Sequence, residues 1–303
     1  ADFLNDEELV STVSGRMGSG SFSFNINSLK TVSPLALHVN NAQIEIDAAY
    51  EGIHTLALFE AKRDLSDDFL VRQLYYPYRV WQNRIIKPVR PLFLIYSNGI
   101  YRIYEYAFSE PNDYSSIVLV KQRNYSIEDT SITADDIQQT LYNTPCTDEP
   151  QLPFPQADSF ERIINICELL NDKPLGRNEV TTQYAFDARQ TNYYTDAARY
   201  LGLINKFEVS RTPMYKLTNK GRQILKMPYK QRQLAFCQCI FAHTAFANTL
   251  KSYFESGIMP STSTIVNIMK TSHVYNVSSD FTYRRRASTI KGWINWIVKL
   301  IND

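Results

Sequence analysis

Two acids and a lysine stand out in the stretch QIEIDAAYEGIHTLALFEAKRD, residues 43–64: Asp47, then after twelve residues Glu60-Ala61-Lys62. Both groups lie on apolar, β-rich runs, where ionisable side chains are costly unless they serve a purpose. Alternation along a strand makes Glu60 and Lys62 share a face of their run, and Glu45, Asp47 and Ala49 share a face of theirs. If the two runs pair, Asp47 and Glu60 converge on one oxygen-rich site. Two carboxylates with the Ala61 carbonyl suit Mg²⁺, which takes few carboxylates and keeps several waters. Lys62 would orient the attacking water and offset charge on a phosphodiester in its transition state. The competing reading is a surface ion pair of Glu60 with Lys62 or Arg63.

The elements that must position these groups follow in order. Ala42–Tyr50 and Thr55–Ala61 are expected strands around a Glu51-Gly52 turn. Asp67–Arg84 is an expected helix burying Leu70, Leu74, Val80 and Trp81, with Pro77 set to kink or break it. Arg90–Tyr96 and Ile100–Phe108 flank Ser97-Asn98-Gly99, a hairpin signal, and Ile117–Lys121 could add another strand. These elements predict an α/β layer with a mixed sheet.

In the form Asp47-x12-Glu60-Ala61-Lys62, this stretch resembles the PD-(D/E)XK nuclease superfamily, over residues 42–84. Ile46 stands where the family's name has proline. The resemblance implies a Mg²⁺-dependent phosphodiester hydrolase, with Asp47, Glu60 and the Ala61 carbonyl on one or two ions and Lys62 acting on water. It makes Gln73, on the helix behind the strands, a supporting residue. Glu45 is either a further carboxylate of the site or a plain polar-face residue. Glu7 or Glu8, on an expected first helix, is a candidate acid donated to the site.

No other catalytic set competes. The four histidines lack H-x-x-x-H spacing, no G-x-S-x-G or Walker pattern occurs, and the four cysteines form neither a disulfide framework nor a zinc pattern. Cys237 and Cys239 are expected to be buried free thiols. Gly18-Ser19-Gly20-Ser21 is no nucleotide fingerprint, but Arg16 and the amides around Ser19 could hold a phosphate backbone; a flexible turn explains the glycines equally well. No run of eighteen apolar residues suggests a membrane span, and the acidic N-terminus has no export pattern, so the cytoplasm is the default.

Charge divides unevenly. Residues 1–150 carry 12 Lys+Arg against 20 Asp+Glu, net −8, and residues 151–303 carry 20 against 11, net +9. A basic half suggests a polyanionic partner. The proline-bearing stretch 144–156 is the expected linker, giving a catalytic domain at 1–150, a DNA-binding domain at 151–230 and a third, helical domain at 231–303, expected to be a second, helix-turn-helix-like DNA-binding domain.

Beyond the linker, helices are expected at Phe160–Leu170, Asn178–Tyr184 and Thr191–Leu201, closed by Gly202. Strand-like pieces within Phe207–Leu217 and a helix from Thr218 follow. This order resembles winged-helix modules, in which Leu-Thr-x-x-Gly opens the last helix. The resemblance makes residues 187–204 a recognition helix, with Arg189, Gln190, Asn192, Tyr193 and Thr195 toward base edges. The last section is expected to be helical at Leu234–Phe254, Ser263–Lys270 and Ala287–Ile301. Arg284, Arg285, Arg286 and Lys291 are candidate backbone or groove contacts, while Trp293, Ile297 and Leu300 share an apolar face.

A nuclease core followed by such modules resembles Type II restriction endonucleases. The expected activity is hydrolysis of double-stranded DNA at a short sequence, by a monomer or homodimer. Its rivals are a methylation- or structure-specific DNA nuclease and, from another class, a winged-helix regulator without catalysis.

Overall fold

The computed structural model describes residues 2–30, 32–63, 69–183 and 188–302. Asp67 and Asp68 of the expected helix, and Tyr184 and Asp187 beyond the linker, lie outside them. The chain divides into two compact units, Ala1–Ser126 and Ile127–Asp303. The first is mixed α/β and the second is mostly helical.

Unit 1 is built on a six-stranded mixed sheet. Its strands in chain order are β1 (Val10–Ser11), β2 (Gly15–Gly18), β3 (Ser21–Ile26), β4 (Leu35–Asn40), β5 (Gln43–Ile46), β6 (Ala48–Glu51) and β7 (Leu56–Lys62). Helix α1 (Val71–Gln82), β8 (Val89–Ser97), β9 (Ile100–Phe108) and β10 (Ile117–Ser126) follow. The sheet order is β1-β6-β7-β8-β9-β10, while β2 pairs with β5 and β3 with β4 outside it. Among the described strands of this sheet only β7 and β8 run parallel, and the intervening segment containing α1 provides the long crossover that parallel strands need. At the β8–β9 turn Asn98 and Gly99 both have positive φ, 54° and 79°. An Asn-Gly hairpin turn requires that conformation at both positions.

Helix α1 departs from its expected form in two ways. It runs through Pro77 to Gln82, burying Leu74, Tyr75, Tyr78 and Val80. Leu70 is not in its buried face but stands exposed at the N-terminal boundary. Tyr75 lies edge-on to Phe24, Phe108 and Tyr114, so aromatic packing around it holds the helix on the sheet. The expected first helix is absent: residues 2–9 form turns, and Asp6 rather than Glu7 or Glu8 is the buried acid there.

Unit 2 contains α2 (Ala134–Asn143), α3 (Phe160–Asp172), β11 (Leu175–Gly176), α4 (Arg177–Gln183), α5 (Ala188–Tyr200), β12 (Ile204–Val209) and β13 (Thr212–Leu217). Then come α6 (Asn219–Leu225), α7 (Tyr229–Phe241), α8 (Thr244–Ser256), α9 (Thr262–Thr271) and α10 (Asp280–Asn302). The three strands form an antiparallel sheet in the order β11-β13-β12. Thr218 caps α6 by accepting from the Gly221 amide at 3.0 Å, and a Cβ at 221 would overlap the Leu203 carbonyl oxygen. That close approach is why glycine stands there.

The chain crosses from one unit to the other at 126/127 rather than near 150. Helix α2 folds with unit 2: Asp136 closes its capping box and pairs with Lys230 of α7 at 2.7 Å. The expected helix Leu234–Phe254 is instead two, α7 and α8, broken at Ala242–His243. There the Ala242 carbonyl accepts the Thr147 amide, and His243 is extended and stacked on Tyr200. Trp293, Ile297 and Leu300 of α10 are buried as expected, and Cys237 and Cys239 are buried free thiols.

Candidate active site

The site grows from the register of β6 and β7. They pair antiparallel from Glu51↔Leu56 to Ala48↔Phe59, which sets Asp47 and Glu60 side by side one step beyond the last pair. Asp47 interrupts the run between β5 and β6. Its amide donates to the Phe59 carbonyl at 3.2 Å, while its Oδ2 accepts the Ala61 amide at 2.7 Å. The carboxylate thereby continues the ladder in place of a backbone carbonyl and is fixed against Glu60-Ala61-Lys62.

Glu60 is buried, with 5% of its surface exposed. Its Oε1 accepts from both Lys62 Nζ and Gln73 Nε2, each at 2.6 Å. Burial pushes its carboxyl above the ordinary glutamate range; the Lys62 hydrogen bond and charge oppose this, and Asp47 and Glu45 add to it. The expected surface ion pair therefore exists in part: Glu60 and Lys62 are bonded, but the carboxylate is inside.

Glu60, Lys62 and Gln73 border a polar cavity of about 330 Å³ together with Gln43, Ile44, Glu45, Asp47, Ala61, Arg72, Tyr76 and Pro77. Glu45 is exposed on this wall and pairs with Arg16 at 3.3 Å. Glu8 lies outside the cavity lining. Arg72 and Tyr76 were not among the expected site residues. Their signal is helical spacing: Arg72 and Tyr76, like Gln73 and Pro77, are four apart on α1 and share a face. The Arg72 guanidinium lies 5.9 Å from the Tyr76 ring centre, within reach of a cation–π attraction.

The donor set fits a hard cation of modest demand. Asp47 Oδ1 and Glu60 Oε2 accept no hydrogen bond among the described residues, so one oxygen of each carboxylate is available. No group of three or more His, Cys, Asp or Glu side chains is arranged for a metal among those residues. Two carboxylates suit Mg²⁺, which retains water, better than an ion needing an all-protein cage.

A third missed residue, Asp6, holds the site from behind. The Asp6 carboxylate accepts from the amides of His54 and Thr55, at 3.2 and 2.9 Å, and from the Thr55 hydroxyl at 2.8 Å. It thus clamps the β6–β7 turn whose register brings Asp47 to Glu60. Burial alone would raise this carboxyl, but those donors hold it at about 2.

The expected nucleic-acid contacts are sorted by exposure. Arg189 and Gln190 are exposed at the start of α5, and Asn192 and Tyr193 are half-buried. Arg189 Nε donates to the Tyr193 hydroxyl at 2.6 Å. Thr195 does not face outward: it is buried and donates to the Thr191 carbonyl at 2.8 Å. Arg284 and Arg285 are exposed, whereas Arg286 turns inward to Gln156 at 2.8 Å and Lys291 reaches Thr262 at 3.1 Å. All three arginines lie within α10 rather than before it. Ser19 also turns out otherwise than expected, being buried with its hydroxyl on the Gly20 carbonyl.

Two family models match the chain. One described as a domain of unknown function (DUF6997) matches residues 1–126, the whole of unit 1, and another (DUF7226) matches residues 162–302. No curated protein matches the chain, and no solved structure does. No helix among the described residues is long and apolar enough to cross a membrane.

Proposed function

We propose that this protein is a Mg²⁺-dependent endonuclease that cuts double-stranded DNA at a short sequence, with a PD-(D/E)XK-like core in unit 1. The observation that carries the reading is the convergence of Asp47, Glu60 and Lys62 on one cavity, the two acids fixed side by side by the β6–β7 register. The antiparallel pair, the helix α1 and its Gln73 bonded to Glu60 are the parts on which the resemblance rests. In unit 2, the order helix, short strand, two helices, two strands and helix supports a winged-helix module presenting α5 to DNA.

The roles of the residues follow from their bonds. Asp47 and Glu60 would hold the ion through their available oxygens, and Mg²⁺ would supply Lewis-acid stabilisation of the phosphate and a more acidic water. The Ala61 amide keeps the Asp47 carboxylate oriented. Gln73 keeps Glu60 in place when Lys62 leaves it. Lys62, half-exposed beside Glu60, can turn from the carboxylate to the attacking water or to a phosphate oxygen. Both positions neutralise negative charge, so the lysine needs only a short side-chain swing.

The test is incubation with bacteriophage DNA and Mg²⁺, followed by sequencing of the ends; discrete fragments are expected. Asp47→Ala and Lys62→Ala should abolish cleavage, by about 10³-fold or more, and retain DNA binding. Full activity in either variant overturns the assignment. A regulator without catalysis would bind DNA equally with and without Mg²⁺ and break no strand at any concentration.

A further inference from the structure

The strands outside the main sheet form one continuous ribbon. β2 pairs with β5 from Gly15↔Ile46 to Gly18↔Gln43, and β3 pairs with β4 from Ser21↔Asn40 to Ile26↔Leu35, with no change of register between them. The Ser19 amide donates to the Ala42 carbonyl at 2.8 Å and the Asn41 amide to the Gly20 carbonyl at 2.9 Å, carrying the pairing across the gap. Gly20 and Asn41 face each other there, both with positive φ, 64° and 51°. This bend shifts the side-chain alternation by one residue. Phe22, Phe24 and Val39 therefore join Ile44 and Ile46 in a single apolar cluster.

The opposite face of β3–β4 is exposed and has an unusual composition. It carries Ser21, Ser23 and Asn25 on one strand and Ala36, His38 and Asn40 on the other. Asn is disfavoured in strands, and a face kept only for solubility tolerates the charged residues and threonines that are absent here. Cross-strand bonds fix its polar groups. The Ser21 hydroxyl donates to Asn40 Oδ1 at 2.9 Å, leaving the Asn40 amide, and the Ser23 hydroxyl meets His38 Nδ1 at 3.0 Å, leaving Nε2. Asn25 is held through its backbone, its amide donating to the Asn112 carbonyl at 2.8 Å. The result is a row of donors and acceptors, of which those of Asn40 and His38 are held in place by cross-strand bonds.

This row leads into the cavity. The β5 end of the ribbon contributes Gln43, Ile44 and Glu45 to the cavity wall and stops at Asp47. A two-stranded ribbon, with strands about 4.8 Å apart, fits the major groove, which is about 12 Å wide. Asn pairs with adenine through two hydrogen bonds in that groove. We infer that the exposed β3–β4 face reads bases in the major groove of double-stranded DNA next to the phosphate in the cavity. This rests on the nuclease reading for the identity of the polymer, and adds a base-reading surface inside unit 1.

The test uses the full chain and a random double-stranded DNA library, without Mg²⁺, with bound molecules sequenced. The wild type is compared with Asn25→Ala, His38→Ala and Asn40→Ala, singly and combined; thermal melting checks that these exposed changes leave the fold intact. The wild type should select a motif. The variants should lose preference at one or more of its positions, with affinity for the preferred site falling about tenfold for each base no longer read. An unchanged motif and affinity in the triple variant overturns the inference even where Mg²⁺ gives cleavage. Altered preference with no cleavage by the wild type sustains the inference and sinks the nuclease reading. A wild type that binds no preferred duplex, or binds only single strands or RNA, overturns it as well.

Discussion

Glu60 is the residue in which the conflict between folding and chemistry is sharpest. A carboxylate with 5% of its surface exposed is costly to ionise, and its raised pKa registers that cost. The folded value lies above the unfolded one, so its contribution to stability is full at low pH and lost as pH rises through the folded value. Glu60→Gln keeps an acceptor for Lys62 and Gln73 without the buried charge. It should therefore be at least as stable as wild type, with the advantage larger at pH 8 than at pH 4 in urea titrations. The same variant should lose Mg²⁺-dependent cleavage; retained cleavage would remove Glu60 from the site. Arg72 makes the complementary prediction. Exposed at the cavity, with the Tyr76 ring beside it, its guanidinium suits a phosphate oxygen. Arg72→Ala should raise KM for DNA about tenfold or more, and Arg72→Lys should restore part of it. An unchanged KM would make Arg72 a bystander.

At the scale of elements, the turn between β6 and β7 matters more than its sequence suggests. Glu51-Gly52 is legible as a turn, but nothing local shows that Asp6 closes it. The Asp6 carboxyl, held at about 2, contributes stability above pH 4 that is lost as pH falls toward 2. Asp6→Asn should lower the Tm of unit 1 at pH 7 and flatten its acid unfolding between pH 4 and pH 2. An unchanged Tm would show that the clamp is dispensable. The α7–α8 break is a parallel case in unit 2. Apolar periodicity continues through Leu234–Phe254, so one helix is expected. Tertiary partners overrode it: the Thr147 amide takes the Ala242 carbonyl, and Tyr200 stacks on His243 with ring centres 4.0 Å apart. Burial, and then the Lys220 charge, lowers His243 to about 4, so the folded unit favours the neutral ring. The stability this gives is present above the ordinary histidine value and lost as pH falls toward 4. His243→Phe, which keeps the stack, should remove that part of the acid transition in tryptophan fluorescence. A transition unchanged in the variant would assign it elsewhere.

For the whole molecule, the position of the unit boundary alters the charge argument. Counted to residue 126, unit 1 carries 12 Lys+Arg against 14 Asp+Glu, net −2, and unit 2 carries 20 against 17, net +3. The contrast between −8 and +9 came from six acids at 128–149 that belong with the second unit. Asp136 pairs there with Lys230, Tyr200 donates to Glu149, and the Tyr229 amide donates to Glu128. A polyanion partner is thus argued from particular faces of unit 2, above all Arg189, Arg284 and Arg285, and not from its total charge.

The sequence by itself determined the acids and the lysine, the strands that bear them, the helix behind, and the Asn-Gly hairpin. Each is a local matter of side-chain period or turn chemistry, readable within a few residues. It also determined most of the helices of unit 2 and the buried stripe of α10. Only the tertiary structure decided that Asp47 replaces a backbone acceptor for Ala61, that Asp6 clamps a turn far along the chain, and that Arg72 and Tyr76 complete the cavity. It likewise turned Ser19, Thr195 and Arg286 inward, and joined β2–β5 and β3–β4 into one ribbon. These depend on which distant groups meet, and hydrogen bonds and burial between residues far apart leave no periodic trace in the chain.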